Sequence, residues 1–185
     1  MRLTDDDKLL LLDIARKAIE RAVQGQSQPE IPQHSEALDQ PCGAFVTLTE
    51  KGELRGCIGY TEAVLPLIET VRDVAPRSAL EDPRFASVEP EEIGDLEIEI
   101  SALSPMRQIA DIDEIVVGTH GIMMQQGYSK GLLLPQVATE YNWDRDTFLR
   151  QTARKAGLPY DAWKNPMTKI FIFSAEVFHE QKKKR

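Results

Sequence analysis

Long apolar runs and an excess of basic charge are both missing from this chain of 185 residues. No apolar run exceeds the four residues of Leu9–Leu12, whereas a membrane-spanning helix needs about 20. The amino terminus also lacks the apolar segment and cleavage site of a signal peptide. With a formal net charge of −8, the chain does not carry the basic face that binds a phosphate backbone. We expect a cytoplasmic protein that binds no membrane, with nucleic acid disfavoured as a partner.

Cysteine and histidine are scarce, and neither is spaced for a metal site. The chain has two cysteines, Cys42 and Cys57, and three histidines with no ligand spacing. It has no Cys-x-x-Cys pair, no His-Glu-x-x-His, no phosphate loop and no dinucleotide fingerprint. The sequence therefore predicts no metal, leaves any cofactor unknown and predicts no disulfide between the two cysteines.

Helical and strand patterns alternate along the chain, and the strands come mainly as hairpins. Thr4 and Asp144 are each predicted to cap a helix. A third helical pattern at 64–81 contains Pro76 and is predicted to kink or break near Ala75. Strands are predicted at 43–49, 54–60, 95–103, 121–126, 131–134 and 169–178. This pattern predicts an α+β protein with a largely antiparallel sheet flanked by helices.

The stretch Leu54-Arg55-Gly56-Cys57-Ile58-Gly59 is the most specific pattern in the sequence. Glycine weakens a strand, and it is usually present where something must come close to the backbone. Two glycines around one thiol, two residues after an arginine, indicate a site. A buried cysteine with no chemical role remains the alternative, since free cysteine is among the most buried residue types.

The predicted register of this hairpin places Val46 opposite Cys57 and Leu48 opposite Arg55. Because side chains alternate between the faces of a strand, Arg55, Cys57 and Gly59 would then share a face with Val46 and Leu48. A guanidinium beside the thiol favours the thiolate, whereas apolar burial disfavours it. The sequence leaves the balance between these two effects open.

Two further segments carry residues suited to proton transfer. In the strand at 95–103, Glu97 and Glu99 face away from the predicted core, where they either meet solvent or line a cleft near Arg55. His120 lies between Gly118 and Gly121, immediately before a predicted hairpin, and a histidine has a pKa near neutrality. It is either a general base or a loop residue that hydrogen-bonds the backbone.

Five segments together resemble the AMMECR domain family, and the resemblance extends in order from the first helix to about Phe178. They are 54–59 (LRGCIG), 82–85 (DPRF), 96–101 (LEIEIS), 134–137 (LPQV) and 155–159 (KAGLP). The resemblance implies one two-lobed α+β domain over residues 1–181, with intertwined lobes, a cleft between them that holds the hexapeptide, and a basic tail at 182–185. It also implies partners, because bacterial and archaeal members are associated with a Memo-type protein and a radical S-adenosylmethionine protein.

Two hypotheses for the function follow. In the first, the protein is an enzyme component in which Cys57 is the nucleophile or a ligand, and His120 or Glu99 transfers protons. Substrate contacts in that hypothesis come from Arg55, which holds an anionic group, and from Gly56, Gly59 and Glu97. In the second, the chain is a non-catalytic module that binds a small molecule or docks a protein, and its acidic charge suits a basic partner.

Overall fold

The computed structural model describes residues 3–180, so the predicted basic tail at 182–185 lies outside the described residues. In chain order the elements are α1 (Asp5–Val23), β1 (Ala44–Glu50), β2 (Glu53–Tyr60), α2 (Leu67–Leu80), β3 (Leu96–Leu103), β4 (Arg107–Ile109), β5 (Gly121–Gln126), β6 (Ser129–Leu133), α3 (Pro135–Glu140), α4 (Arg145–Lys155), β7 (Lys169–Phe173) and β8 (Ala175–His179). The predicted α+β class is confirmed. Between residues 3 and 180, no helix combines the length and the apolar character needed to cross a bilayer.

The chain divides into two compact units. The first contains the residues up to Leu103 together with those from Glu176 onward, and the second contains residues 104–175. The chain thus leaves the first unit after β3 and returns to it at β8. At these two points the N–H of Ser104 donates to the carbonyl of Ser174 (2.8 Å), and the N–H of Ser174 donates to the hydroxyl of Ser104 (2.9 Å).

The first unit is a four-stranded sheet, in the order β2-β1-β3-β8, with α1 and α2 packed together and against it. Alternate residues of β1 and β3 point into the core, and Val46, Leu48, Ile98 and Ile100 are fully buried there. Helix α1 begins at a capping box, in which the side chains of Thr4 and Asp7 bond each other's backbone N–H. The predicted cap at Thr4 and the predicted core face of β3 are therefore confirmed.

Helix α2 continues through Pro76, so of the kink or break predicted near Ala75 the break is wrong. A proline inside a helix removes one backbone hydrogen bond. Here Pro76 is itself buried, as are Ala75 before it and Ser78 and Ala79 after it. Packing of this face against the sheet outweighs the local preference of proline to end the helix.

The second unit has its own sheet, in the order β4-β7-β5-β6, and its own core. Phe148 and Leu149 of α4 are fully buried in that core, and Asp144 caps this helix by accepting the N–H of Thr147 at 2.8 Å, as predicted. The strand predicted at 169–178 is in fact two strands. It divides at Ser174, and β7 belongs to the second sheet whereas β8 belongs to the first.

Candidate functional site

The hairpin of β1 and β2 contains a bulge that the sequence did not reveal. Thr49 lies opposite Leu54 and Leu48 lies opposite Gly56, which leaves Arg55 as the extra residue. A bulge of one residue moves every later side chain of that strand to the other face. The predicted pairing of Cys57 with Val46 is therefore wrong, because Cys57 lies opposite Thr47.

The corrected register brings Cys57 and Glu99 onto one face of the sheet. Thr47 pairs with Cys57 on one side and with Glu99 on the other, so the three residues form a row across β2, β1 and β3. All three are half-buried, and the Thr47 hydroxyl donates to the Cys57 sulfur at 3.3 Å. Glu97 lies on the same face, two residues before Glu99 in β3 and opposite Thr49 of β1. We call this face, defined by Thr47, Cys57, Glu97 and Glu99, the thiol face.

The surroundings of Cys57 favour the neutral thiol over the thiolate. Burial is the largest influence, and it raises the pKa of the Cys57 thiol. The hydrogen bond from Thr47 and the positive charge of Arg84 act in the opposite direction and lower this pKa. The negative charges of Asp82 and Glu99 raise it again, and the pKa of Cys57 lies above its ordinary value.

Asp82 is a site residue that the sequence analysis missed. Its carboxylate is buried, with 3% of the side chain exposed, and it accepts the backbone N–H of Cys57 at 2.8 Å. It also accepts the N–H, Nε and Nη2 of Arg84 at 3.1, 3.0 and 2.7 Å. These bonds from Arg84 hold the pKa of the Asp82 carboxyl well below its usual range, although burial opposes them. The Asp82-Pro83-Arg84-Phe85 turn was visible in the sequence, but its contact with a strand 25 residues away was not.

Arg55 is fully engaged in holding a neighbouring loop. Its Nε and Nη2 donate to the two carboxylate oxygens of Glu92 at 2.8 and 3.0 Å. Its Nη1 and Nη2 donate to the carbonyls of Ala86 (2.8 Å) and Ser87 (3.3 Å). From the sequence we expected the Arg55 guanidinium to act on the thiol, whereas the arginine whose charge lowers the pKa of Cys57 is Arg84.

Gly56 and Gly59 allow a close approach, as predicted, but by other parts of the same chain. A Cβ atom on Gly56 would lie 2.0 Å from the carbonyl oxygen of Ser78 in α2. One on Gly59 would lie 2.3 Å from the carbonyl oxygen of Ala44 and 2.5 Å from the ring of Phe45. A substrate contact at the two glycines stays a prediction, and their packing already accounts for the absence of a side chain.

His120 belongs to the second unit, in the turn before β5. Its Nδ1 accepts the backbone N–H of Val116 at 3.1 Å, so the neutral ring carries its proton on Nε2. Its own N–H donates to the carbonyl of Val116 at 2.9 Å. This is the geometry expected of a loop residue that hydrogen-bonds the backbone, and a catalytic role for His120 stays a prediction.

Two further features of residues 3–180 concern cofactors and ligands. Over residues 3–180, no cluster of three or more His, Cys, Asp or Glu side chains could hold a metal ion. The second unit carries an open groove of about 650 Å³ on one side of α4, and Arg150, Tyr160, Asp161 and Trp163 are among its lining residues. None of the predicted site residues lines this groove.

These features define a class: an α+β protein of two units, in which a hairpin carries a half-buried cysteine. A buried aspartate accepts the backbone N–H of that cysteine. The chain belongs to the AMMECR1 family, whose model matches residues 12–178.

Its relatives match it over almost their whole length. It is 43% identical to a protein of Methanothermobacter thermautotrophicus, over 96% of each chain. It is 39% identical to protein TK0174 of Thermococcus kodakarensis, over 97% of this chain and 93% of that one. The crystal structure of protein PH0010 from Pyrococcus horikoshii superposes with a TM-score of 0.92 at 38% identity, and the match covers 98% of this chain and 95% of that one. The predicted family is therefore confirmed.

Proposed function

We propose that this protein is an enzyme component that binds a small anionic substrate on the thiol face and uses Cys57 in the reaction. The observation that supports this most directly is the row formed by Cys57, Thr47 and Glu99. A reactive thiol needs a fixed position and a nearby group that takes its proton. Asp82 fixes the backbone at Cys57, and Glu99 is the carboxylate in the row.

In this proposal the thiol is the resting form and the thiolate forms only when substrate is bound. A raised pKa keeps Cys57 protonated and protects it from oxidation in the absence of substrate. An anionic substrate does not by itself favour a second negative charge, so loss of the thiol proton is the step that makes the sulfur nucleophilic. In this proposal the proton passes through the Thr47 hydroxyl, which lies between the two in the row, and Glu99 receives it. Glu97 contributes to substrate binding, whereas Gly56 and Gly59 are needed for packing.

We further propose that the chain acts with a Memo-type protein and a radical S-adenosylmethionine protein. This part of the proposal rests on the family to which the chain belongs. The net charge of −8 suits a partner with a basic surface.

The competing function is a non-catalytic module that binds a small molecule or docks a protein. Two observations favour it: the pKa of Cys57 is raised, and the predicted anion-binding Arg55 is already engaged by Glu92. In that case Cys57 would be needed only for packing.

Replacement of Cys57 by serine separates the two functions. The system is reconstituted with the Memo-type and radical S-adenosylmethionine proteins, and S-adenosylmethionine consumption is followed. We expect Cys57→Ser to lower turnover by roughly 100-fold or more, as loss of a group that takes part in the chemistry does. Cys42→Ser is the matched control, because Cys42 is buried and its thiol donates to the carbonyls of Gly43 and Leu103.

Equal turnover by the two serine variants would overturn the enzymatic role. Pull-down with the two partners at low and high salt would then test the docking role. Binding that salt weakens supports an acidic docking surface, and no binding at either salt concentration excludes it.

A further inference from the structure

Arg84 presents an open hydrogen-bonding edge beside the thiol face. A guanidinium has two edges that can each hold an oxyanion through a pair of N–H groups. Arg84 uses the Nε/Nη2 edge for the two oxygens of Asp82. The hydrogen bonds that Arg84 donates within residues 3–180 come from its backbone N–H, Nε and Nη2 and all go to Asp82, so none of them uses the other edge, which is formed by Nη1 and the second N–H of Nη2. The Arg84 side chain is 54% exposed.

Arg55 offers no such edge. Glu92 takes its Nε/Nη2 edge, and the carbonyls of Ala86 and Ser87 take the other. Only 15% of its side chain is exposed. An incoming anion would have to displace one of these partners, whereas at Arg84 it would displace only water.

The open guanidinium is fixed close to Cys57 by a shared atom. Oδ2 of Asp82 accepts both the backbone N–H of Cys57 (2.8 Å) and Nη2 of Arg84 (2.7 Å). The two donors therefore lie on either side of one buried oxygen. The charge of Arg84 also acts on the sulfur, since it lowers the pKa of Cys57.

We infer that the open edge of Arg84 binds the carboxylate of the substrate and so brings the neighbouring carbon of that substrate to Cys57. This inference rests on the proposed function, because it specifies the substrate class of the same site. A carboxylate is favoured over a phosphate for an electrostatic reason. Asp82 and Glu99 are both close enough to Cys57 to affect it, and a phosphate monoester with roughly −1.5 to −2 charges is repelled more than a carboxylate with one.

The test compares two alkylating reagents of similar size, the anion iodoacetate and the neutral iodoacetamide. The rate constant of each with Cys57 is measured at one pH on the folded protein by peptide mass spectrometry. Because the thiolate attacks the iodine-bearing carbon of both reagents and displaces iodide, the ratio of the two rate constants does not depend on the thiolate fraction. The ratio reports the charge that the incoming carboxylate meets.

We expect Arg84→Gln to lower the iodoacetate/iodoacetamide ratio about fivefold, the effect of one opposite charge at close range in water. Arg84→Lys keeps the positive charge, so its ratio should lie nearer to that of the wild-type protein. Arg77→Gln is the matched control, since Arg77 is a partly exposed arginine of the same unit whose partners are Tyr60, Asp73 and Glu81. Cys42 must stay unreactive in every variant, which shows that the fold is intact.

Three results would overturn the inference. In the first, Arg84→Gln lowers the iodoacetate/iodoacetamide ratio no more than Arg77→Gln does. In the second, Arg55→Gln lowers the ratio but Arg84→Gln does not. In the third, neither reagent reaches Cys57 in the folded protein.

The Cys57→Ser variant tests a different claim, namely that Cys57 takes part in turnover. If the ratio depends on Arg84 but Cys57→Ser retains turnover, the proposed enzymatic function fails and the anion site stands. If turnover requires Cys57 but the ratio does not change with Arg84→Gln, the enzymatic function stands and the anion site at Arg84 fails.

Discussion

Cys57 illustrates how the reactivity of one side chain depends on groups from three other segments of the chain. Its sulfur accepts a hydroxyl proton from Thr47, while Glu99, Asp82 and Arg84 act on it through their charges. Two of these charges are negative and one is positive, and burial adds to the effect of the negative ones. Because these effects together raise the pKa of Cys57, we expect its thiol to react slowly at neutral pH unless its burial or one of these charges changes.

At the residue scale, removal of the Glu99 charge should therefore make Cys57 more reactive. The wild-type thiol should titrate above the ~8.5 of a free cysteine, because burial and the two carboxylates disfavour the thiolate. Glu99→Gln should shift its apparent pKa downward, so that alkylation at pH 7 becomes faster. The measurement is the rate of reaction of Cys57 with iodoacetamide between pH 5 and 10, located by peptide mass spectrometry.

Glu53→Gln is the control for this experiment. Glu53 is an exposed carboxylate of the same strand, and it is not among the main influences on the pKa of Cys57. An identical pH profile for Glu99→Gln and Glu53→Gln would show that Glu99 has no electrostatic influence on the thiol.

At the scale of elements, the contact between β2 and α2 depends on Gly56. The Ser78 carbonyl occupies the position of the missing side chain, and the Ser78 hydroxyl donates to the carbonyl of Val46 at 2.9 Å. We expect Gly56→Ala to lower the free energy of unfolding by about 2 kcal/mol or more, because α2 must move away from the strand. Chemical denaturation checks this value.

Gly94→Ala provides the comparison for Gly56→Ala. Nothing lies within 4 Å of the Cβ that it would add, and the backbone of Gly94 does not have a positive φ. Its effect should be within about 1 kcal/mol of zero and can be stabilising, because alanine restricts the unfolded chain. If the two alanine variants had equal stability, the close approach of helix and strand would not constrain residue 56.

The elements also show which parts of the structure the sequence could predict. The helix starts at Thr4 and Asp144 were predictable, because a cap bonds backbone N–H groups only a few residues away. The core face of β3 was predictable for a similar reason, since alternation is a local pattern. The bulge at Arg55 was not, because it depends on how the hairpin packs against Ser78 of α2.

The candidate site was less predictable than the fold. Cys57 and Glu99 were identified from residue type and pattern, but their position in one row depends on the register of three strands. Asp82 and Arg84 were quoted only as a turn, because their contact with Cys57 spans residues distant in sequence. The division at Ser174 was hidden as well, since both segments contain strand-forming residues and only the tertiary structure assigns β7 and β8 to different sheets.

At the scale of the whole molecule, the two units differ in how the chain builds them. The second unit is one continuous segment with its own four-stranded sheet and core. The first unit needs two segments, because β8 completes its sheet and Phe178 is buried in its core.

We therefore expect a fragment of residues 104–175 to fold alone, with a cooperative thermal transition, since a segment with its own core behaves as a folding unit. A fragment that ends at Leu103 should be much less stable than the complete chain, because it lacks β8. Circular dichroism during heating tests both fragments. Gradual loss of signal from 104–175, with no transition, would contradict the expectation.

The bonds between Ser104 and Ser174 carry a consequence for the evolution of such chains. The chain leaves the first unit and returns to it at two residues that are hydrogen-bonded to each other. The DNA that encodes the residues between these two points can therefore be gained, lost or exchanged, and the two points still lie side by side in the protein. The second unit thus has the form of an inserted module. A descendant of this gene could acquire a different module at the same position and still encode the hairpin that carries Cys57.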